Sequence, residues 1–389
     1  MVSPSRSFSE QPSNRYSSTP PSWAQNAFTN IPPHGRLHLA NLPTPLYKLS
    51  PSKTDQDTKS LLQLLAEFDI SIYIKRDDMT GGVETGGNKI RKLEFLLADA
   101  LAKHYKAVVT IGGEQSNHCR ATAAAARMVG LEPHLILRTK RADEIQSGGD
   151  DIGYVGNILF DRMMGSAIYT CTPGEYGRVG SDELVLRLCK QLEVTRGTTA
   201  YPIPVGGSNG IGSWGYIEGV DEVLAQWNGL ERAPSLDHVV FACGSGGTAA
   251  GISLGMALAF RAEHSSPTVH AIGVCDDPDY FYGYCAGIAN QMGLHTPDGS
   301  SSEAFLRKHM KIHQGKGLGY ASSTAEELGF ITDFALETGV SLDPVYSGKA
   351  LYHFITEVLQ NDLASFQGKN ILFWHTGKIF LLLFASYQV

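Results

Sequence analysis

Residues 107 to 137 read Ala107-Val-Val-Thr-Ile-Gly-Gly-Glu-Gln-Ser-Asn-His118, Cys119-Arg-Ala-Thr-Ala-Ala-Ala-Ala-Arg-Met-Val129 and Gly130-Leu-Glu-Pro-His134-Leu-Ile-Leu137. The opening run, Ala107 to Ile111, is short, apolar and β-branched, the composition of a strand buried on both faces. Paired glycines end it, an alanine-rich helical run follows from Cys119 to Val129, and a second β-rich run fills His134 to Leu137. Strand, helix and strand within about 30 residues make the βαβ unit of a parallel sheet. The alternation continues outward. Ile72 to Ile74 precedes a helical run from Lys92 to Leu101, His238 to Ala242 precedes Thr248 to Arg261, and Val269 to Val274 and Ile371 to Trp374 add strands. This rhythm predicts two α/β lobes on open, twisted, mostly parallel sheets flanked by helices. Turn-rich segments at Gly148 to Gly156 and Gly206 to Gly215 are the expected places for a lobe crossing.

At about 150 residues per domain, 389 residues make two to three domains. Apolar residues at 42% and 42 glycines supply a large core and many tight turns, which excludes disorder, collagen and coiled coil as global descriptions. Thirty-two basic against 39 acidic residues give a net charge of -7, the wrong sign for a nucleic-acid surface. The longest apolar stretch near a terminus, Ile379 to Ala385, is seven residues, against roughly 18 for a bilayer span. Neither nucleic acid nor membrane is an expected partner. Six cysteines without a C-x-x-C pair, and no secretory apolar region at the start, point to a reducing, cytoplasmic compartment. The first eighteen residues hold seven serines, with Arg6 and Arg15 against Glu10. They read first as a disordered tail and second as a mitochondrial transit peptide. Order is expected to begin near the Pro-punctuated Asn41-Leu-Pro-Thr-Pro-Leu-Tyr47.

Four segments carry candidate chemistry. Gly86-Gly-Asn-Lys89-Ile-Arg-Lys92 sets two glycines before a lysine at a helix start, where backbone approaches a ligand closely and amides face an anion. Cations there oppose the helix dipole, so Lys89, Arg91 and Lys92 are either a solvated basic start or a set with another purpose, with Lys89 as nucleophile. Gln115-Ser116-Asn117-His118 follows a strand end, where ligands of open α/β sheets bind; an N-cap explains one of these residues and leaves the others. Gly244-Ser245-Gly246-Gly247-Thr248 lies between a β-rich run and a helix and offers N–H groups and hydroxyls to a phosphate. The same glycines, with Ala249 and Asp276, loosely match a dinucleotide fingerprint, so an NAD-dependent oxidoreductase is the rival reading. The fourth segment comprises Asp343-Pro-Val-Tyr346-Ser347 and His375-Thr376-Gly377, in which Asp-Pro signals a turn and Tyr346 serves as acid, base or packing. No metal-ligand spacing is present, and metal is not expected. A lysine able to form a Schiff base, a glycine-rich phosphate cup and a Ser-Asn cluster fit one cofactor, pyridoxal 5'-phosphate.

With these motifs together, the chain resembles the D-cysteine desulfhydrase and 1-aminocyclopropane-1-carboxylate deaminase family of pyridoxal-phosphate enzymes, from about Asn41 to Gly377. The resemblance implies a two-domain tryptophan synthase β-like fold (fold type II). It also implies a large lobe from residues 41–91 and 201–389, a small lobe at 92–200, a tail at 1–40 and a homodimer. Lys89 would carry the cofactor, Lys92 and Gly244 to Thr248 would meet its phosphate, and Asn117 its 3'-oxygen. Ser116, Asn117 and His118 would bind the substrate, a small D-amino acid, with Ser116 also a candidate base. Gly319-Tyr320 and Val345-Tyr346 look like two active-site tyrosines, and Ser347 and Thr376 would stand at the pyridine nitrogen. Where the deaminases carry a glutamate after the second tyrosine, this chain has Ser347, which leaves the ring a weaker electron sink. His118 and Cys275-Asp-Asp-Pro-Asp-Tyr280 also resemble the desulfhydrase branch. The resemblance therefore implies elimination from D-cysteine first and cyclopropane deamination second.

Two departures qualify it. Thr80-Gly-Gly-Val-Glu-Thr85 alters a loop ahead of Lys89, and Lys378 replaces the second glycine of a His-Thr-Gly-Gly motif, followed by an apolar ending to Val389. Gly-Lys codons can spell a splice donor, so intron read-through or a truncated gene model is the expected origin of that ending. An inactive cofactor-binding protein is the reading that follows should the ending matter.

Overall fold

The structure, a computed structural model, describes residues 15–16, 19–51, 60–232, 234–260 and 266–377. Lys378 and the altered ending lie outside the described residues, as does most of the Ser-rich start. The strands are β1 (Arg15–Tyr16), β2 (Arg36–Leu37), β3 (Leu46–Lys48), β4 (Ser71–Arg76), β5 (Ala107–Gly113), β6 (Glu132–Arg138), β7 (Ala167–Cys171), β8 (Ala200–Pro202), β9 (His238–Cys243), β10 (Thr268–Gly273), β11 (Met310–Gln314) and β12 (Asn370–His375). The chain forms two compact units, the first from residues 1–19, 31–40 and 81–215, the second from residues 20–30, 41–80 and 216–389.

The first unit is built on a parallel four-stranded sheet in the order β7-β6-β5-β8. Side chains of a strand alternate between faces, so the two faces bury different residues. Ala107, Val109 and Ile111 pack with Leu184, Val185, Leu188 and Leu192 of the helix Ser181–Arg196. Leu135 and Leu137 pack with Cys119 and Ala123 of the helix Asn117–Met128. Helices on both faces are what make β5 and β6 read as unbroken apolar runs.

In the second unit the sheet order is β11-β10-β9-β12-β4-β3, parallel throughout except that β3 runs antiparallel to β4. Its last strand, β12, is central. Ile371, Phe373 and Ile74 share a core with Val240, Ile272, Phe354 and Leu351, each such side chain contributing roughly 1.5–3 kcal/mol of burial.

Two expectations change. Residues 19–40 are not a tail. Within the second unit Phe28 bridges Leu294, and Asn30 Nδ2 donates to Gln291 O at 2.9 Å. Within the first, the amides of Leu39 and Ala40 donate to Glu94 Oε1 at 2.7 and 2.8 Å. Prolines in this segment hide order that comes from partners distant in sequence. The glycines from Gly206 to Gly215 are also not all turn residues, because a helix occupies Gly210–Asn228. A Cβ on Gly212 would collide with Gly207 O and one on Gly215 with Arg91 O, so these glycines serve close packing.

Candidate active site

In the first unit Lys89 opens the helix Lys89–Ala102, and its Nζ donates to Asn88 Oδ1 at 2.8 Å. Lys92, one turn on, is fully buried and donates to Gly206 O at 3.1 Å and Ser208 Oγ at 3.3 Å. Its bonds therefore hold the turn Val205–Gly207 to that helix. Ser116 is the N-cap of the helix Asn117–Met128, its Oγ accepting from Cys119 N at 3.2 Å. The cap uses an acceptor lone pair and leaves the hydroxyl proton for another partner.

Asn117 is held by residues the sequence reading passed over. Its Oδ1 accepts from Arg120 Nη1 at 2.9 Å and from Asn157 Nδ2 at 3.1 Å. Guanidinium only donates, so the amide orientation is fixed and Asn117 Nδ2 faces the other way, as a donor. His118 is buried and its Nε2 lies 2.8 Å from Thr110 Oγ1, whose proton goes to Ile203 O at 2.9 Å. Nε2 is therefore the protonated nitrogen. Burial, then the charges of Lys89 and Lys92, hold His118 well below its ordinary pKa, so the imidazole is neutral.

In the second unit the loop Gly244 to Thr248 leads from β9 into the helix Gly247–Ala259, with Gly246 at φ +79°. A Cβ on Gly244 would stand 3.0 Å from Tyr346 Cε1, and one on Gly246 2.7 Å from Tyr284 Cδ1. At Gly246, left-handed and crowded, only glycine fits, whereas at Gly244 a Cβ would press on the Tyr346 ring and displace it by a few tenths of an ångström. Two thiols hold the loop from behind, Cys275 Sγ donating to Gly244 O at 3.1 Å and Cys285 Sγ to Gly246 O at 3.4 Å. Burial raises the Cys275 thiol, so it stays a neutral donor. A helix N-terminus fed by a glycine-rich loop, with hydroxyls at Ser245 and Thr248, has the chemistry of a phosphate site.

Tyr346 Oη lies 2.6 Å from Tyr320 Oη. Burial, then the neighbouring Tyr320 and Asp343, push the Tyr346 phenol well above 10, so it keeps its proton. Ser347, the next residue, is fully buried and donates through Oγ to Asp343 Oδ2. The Asp343 carboxylate also accepts from the amides of Val345 at 3.1 Å, Tyr346 at 2.6 Å and Ser347 at 3.0 Å. A Cβ on Gly377 would run into Asp343 Oδ2 and Ser347 Oγ, which packs the Thr376–Gly377 backbone against this pair. His375 is buried, with Nε2 at 3.2 Å from Ser341 O. Ser347 thus has a carboxylate one hydrogen bond behind it, and Asp343 does more than the turn its Asp-Pro sequence signals.

Residues 39–377 match the family described as pyridoxal-phosphate dependent enzymes. The chain belongs to that family. It is 46% identical over 362 residues to the mitochondrial bifunctional D-cysteine desulfhydrase/1-aminocyclopropane-1-carboxylate deaminase of Arabidopsis thaliana, covering 92% of this chain and 81% of that protein. It is 33% identical to the D-cysteine desulfhydrase of Klebsiella pneumoniae over 90% of this chain and 95% of that one. The crystal structure of an ACC deaminase homologue superposes with a TM-score of 0.67 at 30% identity, covering 88% of this chain and 91% of that one. Family membership removes the dinucleotide alternative for Gly244 to Ala249. Each unit by itself offers groups whose chemistry suits the cofactor: in the first an amine at Lys89 and a fixed amide donor at Asn117, in the second a glycine-rich helix start with hydroxyls and a buried hydroxyl at Ser347.

Among the described residues, no helix is long and apolar enough to cross a membrane. None of the six cysteines, all of them among the described residues, forms a disulfide.

Proposed function

We propose that this pyridoxal-phosphate enzyme is a D-cysteine desulfhydrase, converting D-cysteine and water to pyruvate, ammonia and hydrogen sulfide. Lys89 would carry the cofactor, Asn117 Nδ2 would donate to its 3'-oxygen, and Gly244, Ser245, Gly246, Gly247 and Thr248 would hold its phosphate, with Lys92 adding positive charge on the Lys89 helix. Ser347 and Thr376 would face its ring nitrogen. When bound, the cofactor supplies the electron sink for charge that develops at the substrate Cα. Ser116 and Asn117 receive the substrate carboxylate, with neutral His118 behind them. The Lys89 amine, or the Ser116 hydroxyl, takes the Cα proton.

The single observation that carries the reading is the Tyr320–Tyr346 bond. A phenol that keeps its proton beside a second phenol can donate a hydrogen bond to the sulfur leaving Cβ, and it is unsuited to be a base. A second reading, deamination of 1-aminocyclopropane-1-carboxylate, is favoured by Asp343. Ser347 gives its proton to that carboxylate and accepts one bond from Asp343 N at 3.3 Å, so that toward a protonated ring nitrogen it would act as an acceptor. The bifunctional name of the Arabidopsis relative supports both.

The test is purified chain with D-cysteine, assayed for sulfide and pyruvate, beside the cyclopropane amino acid, assayed for 2-oxobutyrate, with Lys89→Ala as control. Sulfide lost in the variant supports the first reading; 2-oxobutyrate alone moves the assignment to the second. Bound cofactor with neither product means an inactive cofactor-binding protein. The reading carries with it a homodimer, checked by sedimentation. It also carries a cytoplasmic location, with the mitochondrion as alternative because the Arabidopsis relative is mitochondrial; cell fractionation separates the two.

A further inference from the structure

Lys349 lies on the short helix Ser347–His353, three residues after Tyr346, and its side chain is fully buried. Its Nζ donates to three backbone carbonyls of one loop: Lys316 O at 2.9 Å, Gly319 O at 3.3 Å and Ser322 O at 2.6 Å. An ammonium has three protons, and all three are used. Buried Glu327 stands 3.6 Å away through Oε2 and supplies the opposite charge. Glu327 is itself fixed, its Oε2 accepting from Thr324 N at 2.9 Å in the capping box of the helix Ala325–Thr338.

The loop these carbonyls belong to carries Tyr320. Its backbone is left-handed at Gly317 (φ +56°), Gly319 (φ +129°) and Ala321 (φ +60°), which is how successive carbonyls come to face one point. For alanine that conformation costs on the order of 1–2 kcal/mol, so the loop does not hold this shape by local preference. Three inward carbonyls without a donor would cost more again. Three carbonyls and a carboxylate around a positive charge have the composition of a cation site, here filled by the protein's own ammonium.

We propose that Lys349 is a positioning residue: its buried ammonium fastens the loop 316–322 and so sets Tyr320 Oη against Tyr346 Oη. Lys349 and Tyr346 share one rigid stretch of chain, so a single element positions both phenols. The catalytic consequence rests on the proposed role of the tyrosine pair; the ordering of the loop does not.

The experiment compares Lys349→Met, Lys349→Ala and Glu327→Gln with the parent holoenzyme. Lys349→Met is expected to keep bound cofactor at Lys89, to lose about 100-fold in kcat/KM for D-cysteine through misplacement of Tyr320, and to speed amide hydrogen exchange selectively in residues 316–322. Turnover by Lys349→Ala is expected to recover in ethylammonium chloride and not in tetramethylammonium chloride, whose cation has no proton to donate. Unchanged kcat/KM and unchanged loop exchange in Lys349→Met would overturn the proposal. Should that variant fail to fold, Glu327→Gln, which keeps the shape and the cap, must show the same localised exchange; exchange raised throughout the second unit overturns it. Should the parent turn over neither substrate, the functional reading fails by itself, and loop exchange in Lys349→Met alone decides the proposal.

Discussion

Asp343→Asn separates the carboxylate's structural duty from its effect on Ser347. Four donors converge on its two oxygens: the amides of Val345 and Tyr346 on Oδ1, the amide and hydroxyl of Ser347 on Oδ2. An asparagine offers one oxygen. With that oxygen toward Val345 and Tyr346, the Ser347 amide faces an NH2 group and is left unsatisfied, at about 1–3 kcal/mol. The two retained bonds lose their charge assistance, about 0.5–1 kcal/mol each. The sum is a loss of about 2–5 kcal/mol, read as a lower urea midpoint. The Ser347 hydroxyl has a choice the amide lacks: it turns to accept from the new NH2 and points its own proton outward. Toward the ring nitrogen it then donates where the parent accepts, which favours the neutral ring. Cyclopropane opening, which needs the stronger electron sink, is expected to fall further than sulfide release from D-cysteine, measured on one preparation with both substrates. A variant within about 0.5 kcal/mol of the parent, or equal losses of both activities, would refute the reasoning.

Tyr346→Phe removes the retained proton and is expected to lower sulfide release by about 10²–10³-fold while cofactor binding persists; in the parent, no fall in rate from this phenol should appear below pH 10. Sulfide release by this variant equal to the parent's would reject the role of Tyr346 as donor to the leaving sulfur. Asp161 is buried with no hydrogen-bond partner on either oxygen, and burial raises it from 3.8 to about 7. The native state therefore keeps a proton that the unfolded chain gives up, and this contribution is complete below pH 4 and lost as pH rises toward 7. At about 1.4 kcal/mol per unit, Asp161→Asn should be more stable at pH 8 by on the order of 2–4 kcal/mol, with a flatter unfolding profile between pH 4 and 7; parallel profiles would count against it. Deleting residues 1–40 removes buried Phe28, Leu37 and Leu39 and three donors to Glu94, the guanidinium of Arg36 and the amides of Leu39 and Ala40. At roughly 1.5–3 kcal/mol per side chain, the truncated chain should be strongly destabilised, and an unchanged melting temperature would return this segment to the status of a tail.

What the sequence disclosed and what it withheld divide along the edges of the sheets. The inner strands β5 and β6 of one sheet, and β4, β9, β10 and β12 of the other, all read as apolar β-rich runs, because sheet or helix covers every side of them. The strands that went unread are the edges: β7 and β8 in the first sheet, β3 and β11 in the second. Of these, β11 alternates polar residues, Met310-Lys-Ile-His-Gln314, and β8 is three residues ending in a proline, Ala200-Tyr-Pro202, so each lacks the long apolar run that marks an inner strand.

The candidate site divides in a related way. Lys89, Ser116, Asn117, Gly244 to Thr248, Tyr346 and Ser347 announce themselves because glycines, polar clusters and strand ends sit beside them in sequence. Arg120, Asp343 and Lys349 act on those residues and give no such mark, since each looks like an ordinary polar residue in a helix or turn. Asp343 lies four residues from Ser347 and passes for half of an Asp-Pro turn; Lys349 holds carbonyls up to 33 residues away. Their burial is the distinguishing fact, and burial of a charge is a property of the folded chain: an enclosed ammonium or carboxylate stays charged where partners meet its protons or lone pairs, and Asp161, which lacks them, takes up a proton instead. Such residues have the least freedom to change without cost, which makes them better probes of the site than the sequence motifs that first revealed it.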